Sequence, residues 1–209
     1  MSREGSQRAN ARRRPSQRRE RGLDVVVLPL WQGSMDIRVI PAADISSDLY
    51  AAIYRLCARA YGEDLRALIE TFDQPVHVVA TSDGAVVSHA LWITRWLQPN
   101  DGPLLRSAYV EAVATDPGYR RRGFASAVLQ ALVKEVQDFD LAALCASDQG
   151  SALYARLGWE IWRGPLFVRQ NANCIATPGE TVMVCRLPRS AALDLDGSLS
   201  VEWRIGELW

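Results

Sequence analysis

Apolar and polar residues alternate over Asp36 to Ile40, and Pro41 closes the run, which predicts a first strand. Leu49, Ile53, Leu56 and Ala60 then recur at helical spacing behind Ser46-Ser47, a natural N-cap, and predict a helix to about Tyr61. Leu65 to Phe72 predicts a second, shorter helix. Val76 to Thr81 and Ala85 to Trp96 flank Ser82-Asp83-Gly84 and read as a hairpin with an Asp-Gly turn. A second turn, Pro99-Asn100-Asp101-Gly102, leads into a strand from Leu105 to Thr115 that Asp116-Pro117-Gly118 ends. Gly123 to Val136 predicts an amphipathic helix, with Phe124, Val128, Leu132 and Val136 near one face. Leu141 to Ala146 is short and apolar throughout, as a buried parallel strand is. Gln149 to Leu157 predicts a helix stopped by Gly158, and Trp159 to Arg163, Leu166 to Arg169 and Thr181 to Leu187 read as closing strands. Leu199 to Trp209 is apolar and aromatic, unlike a frayed end. The order β-α-α-β-β-β-α-β-α-β is an α+β fold with a central mixed sheet flanked by helices.

Charge adds a boundary to that pattern. The chain is neutral overall, yet Met1 to Gly22 holds eight arginines against two glutamates, a charge of +6, which leaves −6 on the rest. The reading is a basic, disordered extension over residues 1–34 and a folded domain over 35–209. A solvated arm is preferred to a nucleic-acid contact, and translation starting at Met35 is a further hypothesis. Arg18-Arg19 looks like an export signal, but Leu23 to Leu30 is short and broken by Asp24 and Pro29. No run has the length of a membrane span, so a cytoplasmic protein is expected. Cys57, Cys145, Cys174 and Cys185 have no metal-ligand spacing and read as small buried thiols, with no metal expected. His77 and His89 lie isolated in strand-like segments and read as structural.

Three features carry chemistry. In the Leu105 to Thr115 strand, alternation puts Glu111, Val113 and Thr115 on one face and Val110, Ala112 and Ala114 on the other. A carboxylate in so apolar a strand lines a cleft or pairs with an arginine. Lining a cleft, it can take a proton from an ammonium group, and N–H groups around Val113 can polarise a carbonyl. Directly after comes Arg120-Arg121-Arg122-Gly123-Phe124-Ala125, a basic turn opening a helix, where converging N–H groups and the helix dipole suit a pyrophosphate. Further on, Leu153-Tyr154-Ala155-Arg156-Leu157-Gly158-Trp159 puts a phenol on a helix, where it can donate to a leaving thiolate or pack against Trp159.

The basic turn fits Q/R-x-x-G-x-G/A and the tyrosine segment L-Y-x-x-x-G-[FW], so the domain resembles the GNAT N-acetyltransferases. The stretch Tyr109 to Ala114, Gly164-Pro165, and above all Trp203-Arg204-Ile205-Gly206-Glu207-Leu208-Trp209, of the form W-R-x-G-[DE]-x-W, resemble the aminoglycoside 2'-N-acetyltransferases. The resemblance runs from about Asp36 to Trp209 and thins before Tyr109.

It implies transfer of acetyl from acetyl-CoA to a 2'-amine of an aminoglycoside, with antibiotic resistance as the result and, as a partner, a second copy of the chain. It implies Glu111 as base through water, Tyr154 as acid and the Trp209 carboxylate facing the substrate amine. Acetyl-CoA would lie against Val113, Ala114, Thr115, Arg120, Arg121, Arg122, Gly123, Phe124, Ala125, Gly150 and Ser151. The sugar would meet Glu111, Ala112, Cys145, Glu180, Glu207, Trp209 and an early aspartate, Asp64, with Glu63 as the alternative. Cys145 replaces the family's serine, and its acidic loop is shortened to Pro178-Gly179-Glu180, so a smaller aminoglycoside such as kasugamycin fits the expectation. Two other readings stay open: acetylation of a protein N-terminus, polyamine or metabolite, and a non-catalytic acetyl-CoA-binding module with a nucleic-acid-binding arm.

Overall fold

The first helix begins where the sequence can cap it. Ser46 accepts from the Leu49 N–H at 3.3 Å and opens α1 (Ser47–Tyr61), a cap contributing about 1 kcal/mol. Gly62, at φ 82°, ends it in the left-handed conformation that glycine takes without steric cost. Ile53, Leu56 and Cys57 turn one fully buried stripe of α1 to the sheet. The computed structural model of the chain describes residues 34–171, 173–190 and 192–209. The basic extension, and the question of where translation starts, lie outside the described residues, apart from the segment's last residue, Ser34.

The remaining elements are β1 (Asp36–Pro41), α2 (Arg66–Ile69), β2 (Val76–Ser82), β3 (Ala85–Pro99), β4 (Leu105–Thr115), α3 (Phe124–Glu135), β5 (Leu141–Cys145), α4 (Asp148–Arg156), β6 (Glu160–Ile161), β7 (Leu166–Gln170), β8 (Asn173–Ala176), β9 (Val182–Arg186) and β10 (Leu199–Glu202). Ten strands form one curled mixed sheet in the order β6-β9-β5-β4-β3-β10-β7-β8, with β1 and β2 continuing from the early half of β3. The 15-residue β3 thus serves two partners on one edge, β2 along Ala85–Trp92 and β10 along Leu97–Pro99. The expected second helix shrinks to the single turn α2, and β8 is an edge strand that the sequence reading did not contain.

The sheet has a core on each face. α1, α2 and the terminal residue Trp209 cover one, with Tyr109, Ala112 and Ala114; α3 and α4 cover the other, with Ala108, Val110 and Val113. Phe124 at 1% exposure and Leu132 at 0% anchor α3, each contributing about 1.5–3 kcal/mol. The cores correct one expectation. Val113 does not share a face with Glu111, because β4 carries a bulge: the pairing steps from His89–Ala114 to Leu91–Glu111, and Ala112 sits at φ 51°. Cys57 and Cys185 are buried as expected, but Cys174 is exposed, because β8 has no layer over it.

β4 and β5 run parallel and pair only over Ser107–Tyr109 and Leu141–Ala143. Beyond that point they separate. The opening between their ends is where the chemistry-bearing residues collect.

Candidate active site

The bulge is held by side chains rather than by the ladder. His89 Nδ1 donates to the Ala112 carbonyl at 3.0 Å, the Tyr61 hydroxyl to Val113 O at 3.0 Å, and the Ser88 hydroxyl to Ala114 O at 3.0 Å. Three successive carbonyls thus find donors where the register breaks, which satisfies groups that burial would otherwise penalise. With its Nδ1–H on Ala112, His89 accepts at Nε2 from His77 Nδ1, 2.9 Å away. Burial lowers His77 to about 4 and His89 to about 3, so both rings stay neutral at physiological pH and their role is architectural.

One side of the opening is a cavity of 970 Å³. Val113, Thr115, Arg120, Arg121, Gly123, Phe124, Ala125 and Gly150, all expected around the donor, line it. Arg121 at φ 61° and Gly123 at φ 87° turn the chain twice into the left-handed region, a conformation that points successive N–H groups at one spot. The 12-residue α3 starts there, its first i→i−4 bond running from Ala127 N to Gly123 O, so its leading N–H groups have no intrahelical acceptors. The donor set fits a pyrophosphate. Ala114, Arg122 and Ser151 stand outside the lining: Ala114 packs in the core, the Arg122 guanidinium lies 5.1 Å above the Tyr119 ring, and the Ser151 hydroxyl donates to Ser147 O at 3.0 Å. Tyr61, Tyr119, Ser126 and Ser147, which lie outside the quoted motifs, and Leu153, the first residue of the tyrosine segment, also line the cavity.

Tyr154 projects from α4 to this cavity and is 7% exposed. Its ring crosses Gly150 so closely that a Cβ there would stand 2.7 Å from Tyr154 Cε2 and force the ring to shift. Burial, helped by Cys145, pushes the phenol up to about 12, so it stays protonated and able to donate.

The other side of the opening is built by the end of the chain. β10 is followed by residues 203–209, which return toward the bulge around two guanidinium groups. Arg95, 1% exposed, donates to Glu202 O at 2.5 Å and to Leu208 O at 2.7 Å. Arg204 donates to Glu111 Oε1 at 2.5 Å, to Glu207 O, and to Trp209 O at 3.4 Å. Glu111 is therefore both in the opening and paired with an arginine, the two possibilities its strand position allowed. It is 9% exposed; burial pushes its carboxyl up, and Arg204 opposes that. The Trp209 indole is buried and donates to the Thr177 hydroxyl at 2.7 Å.

Cys145 and Glu180 also meet, the thiol donating to the carboxylate at 3.3 Å, and burial together with Glu180 pushes that thiol up to about 12. Ala112 lies in the bulge beside Glu111 and Glu207 is exposed on the returning segment. Asp64, exposed, accepts from the Arg66 N–H at 2.9 Å and so opens α2. Arg204 belongs to the terminal motif, and the resemblance implies no role for it. The signal was its position in a segment that otherwise supplies acids. Among the described residues no three or more His, Cys, Asp or Glu are grouped to hold a metal, and no helix is long and apolar enough to cross a membrane.

The curled sheet, the parted parallel strands and the turn at the head of α3 define an acyltransferase fold. The chain belongs to the GNAT acetyltransferase family, whose domain description, Acetyltransferase (GNAT) domain, matches residues 43–162. Within it, the chain is 30% identical over 196 residues to the aminoglycoside 2'-N-acetyltransferase of Mycolicibacterium fortuitum, covering 81% of this chain and 100% of that one. The fold is also that of YhbS from Escherichia coli, solved in complex with CoA, at TM-score 0.58 and 23% identity over 82% of this chain and 93% of that one. Eis1 from Mycobacterium abscessus matches at TM-score 0.54 and 21% identity over 64% of this chain, which spans only 33% of that larger protein. The protein is an acyltransferase.

Proposed function

We propose that this enzyme transfers acetyl from acetyl-CoA to the 2'-amine of an aminoglycoside, by direct attack in a ternary complex, and so confers resistance. The observation that carries the reading is the return of residues 203–209, which brings Glu207 and Trp209 to Arg204 and Glu111 across the bulge from the cavity. Acetyl-CoA, bound along Val113 to Ala125, supplies the activated acetyl group. Glu111, through a water, takes a proton from the acceptor ammonium, which cannot attack while protonated. The Val113 N–H, released from the ladder by the bulge, polarises the acetyl carbonyl. Tyr154 donates to sulfur as the C–S bond breaks. The carboxylates of Glu111, Glu207 and Glu180 suit a polycationic sugar, and loss of one cation weakens a drug that binds RNA through charge. Contact between Cys145 and Glu180 in place of a longer acidic loop favours a compact acceptor of the kasugamycin type.

The test is free-thiol release from acetyl-CoA with kanamycin B (2'-amine), kanamycin A (2'-hydroxyl), gentamicin and kasugamycin. Turnover of kanamycin B without kanamycin A supports class and position, and kasugamycin alone supports the compact pocket. Silence across the panel overturns the aminoglycoside reading and leaves another amine as acceptor. Tyr154→Phe is expected to lower kcat about a hundredfold with acetyl-CoA affinity intact. A kcat equal to that of the unmodified enzyme removes Tyr154 as the donor.

A further inference from the structure

Arg204 does more than close the terminal segment. Its guanidinium lies 5.1 Å from the Phe72 ring centroid and 5.9 Å from that of Tyr109, so aromatic faces of α2's flank and of β4 enclose it. Its side chain is 14% exposed and that of Glu111 10%, so water screens the pair poorly. One fork carries Glu111 and the main-chain oxygens of Glu207 and Trp209 together. A single planar cation therefore fixes both the carboxylate of β4 and the segment that closes over it.

We propose that Arg204 is a positioning residue that keeps Glu111 ionised and aimed while the site is empty of acceptor. The inference rests on the reading of Glu111 as the base, but its first test does not. Charged and titratable groups reach Glu111 from every side. Arg204 and Glu207 come from the terminal segment, Arg95 from β3, Tyr61 from α1, Cys145 from β5 and Tyr109 from its own strand. Burial and Glu207 favour the protonated carboxyl; Arg204 is the largest influence for the ionised form, with Arg95 behind it. Without Arg204, only Arg95 would oppose the burial that already raises this carboxyl, and a protonated Glu111 cannot take the acceptor's proton.

The experiment follows the Glu111 side-chain carboxyl by carbon NMR in the full-length, acceptor-free protein, with its signal assigned by its absence in Glu111→Gln. In Arg204→Met the titration midpoint is expected to rise by roughly one to three pH units, and in Arg204→Lys, which keeps the charge, to rise by less than half as much. An unchanged midpoint in Arg204→Met overturns the proposal. If that variant does not fold, Arg204→Gln replaces it, and a midpoint equal to that of Arg204→Lys overturns it equally. The acid limb of kcat/KM, measured with whichever amine the panel identifies, should move with the midpoint. A midpoint that rises while the acid limb stays in place leaves Arg204 as the group that ionises Glu111 and refutes Glu111 as base instead.

Discussion

Glu111→Gln is expected to lower kcat/KM at neutral pH by about a hundredfold to ten-thousandfold, the range that a positioned general base contributes. The loss should shrink at alkaline pH, where the acceptor amine is already free and needs no base. The sign for the unmodified enzyme follows from its surroundings. Burial raises the Glu111 carboxyl above the ordinary carboxylate range, so the base is lost as pH falls through a value higher than that range. The glutamine variant should show no such limb. A variant equally impaired at every pH would count against the base role.

Stability must be separated from chemistry in this variant. Glutamine leaves the Arg204 charge buried without its partner, which costs about 3–5 kcal/mol in comparable cases. The double variant Glu111→Gln with Arg204→Met removes both charges and should regain much of that stability. It should regain none of the turnover. Thermal unfolding and rates measured on the same samples give the two answers independently.

Gly164→Ala is expected to destabilise the protein by about 3 kcal/mol or more, at the upper end of overpacking. A Cβ at position 164 would stand 1.8 Å from Gly197 O and 2.6 Å from Asp196 O. Both are main-chain atoms in a crossing already bound together. Arg163 and Gly164 donate to Leu195 O at 2.8 and 3.0 Å, Trp162 Nε1 donates to Gly197 O at 2.8 Å, and Leu199 donates to Pro165 O at 3.0 Å. Neither segment of the crossing can retreat without breaking these bonds. At this chain length the loss corresponds to a fall in Tm of roughly 6–12 °C. Since the crossing sets β10 beside β7, residues 202–209 should loosen first. Acetyl transfer should then fail at temperatures where acetyl-CoA still binds. A Tm within one degree or so of the unmodified protein would show that the crossing is compliant.

Much of this was legible in the residues, because the strong periodicities lie in elements that bury a single face. α1, α3, α4 and the β2–β3 hairpin stand where spacing, caps and the Asp-Gly turn put them, within a residue or so at most of their ends. The turn at the head of α3 was legible for a local reason: its glycine and the helix it opens are neighbours in sequence. The bulge was not. Alanine is rarely at positive φ, so nothing at Ala112 announces a break, and strict alternation placed Val113 on the wrong face. Arg204 and Glu111 lie 93 residues apart, and no local pattern joins them. The strand β8, Asn173–Ala176, is exposed throughout and has no apolar alternation to reveal it.

The bulge at Ala112 also separates what selection can change. By turning β4 over between Glu111 and Val113, it lets one strand serve two compartments with different residues. The cavity draws mainly on Val113 to Ser126 and Ser147 to Arg156; the facing side draws on Glu111, Cys145, Glu180 and the terminal segment. If the facing side takes the acceptor, as proposed, mutations that retune which amine is accepted need touch no residue of the cavity wall. On the proposed reading, a lineage built on this strand can exchange one acceptor amine for another while its cavity stays the same, and divergence between its members should gather in the loop before β9 and in residues 203–209.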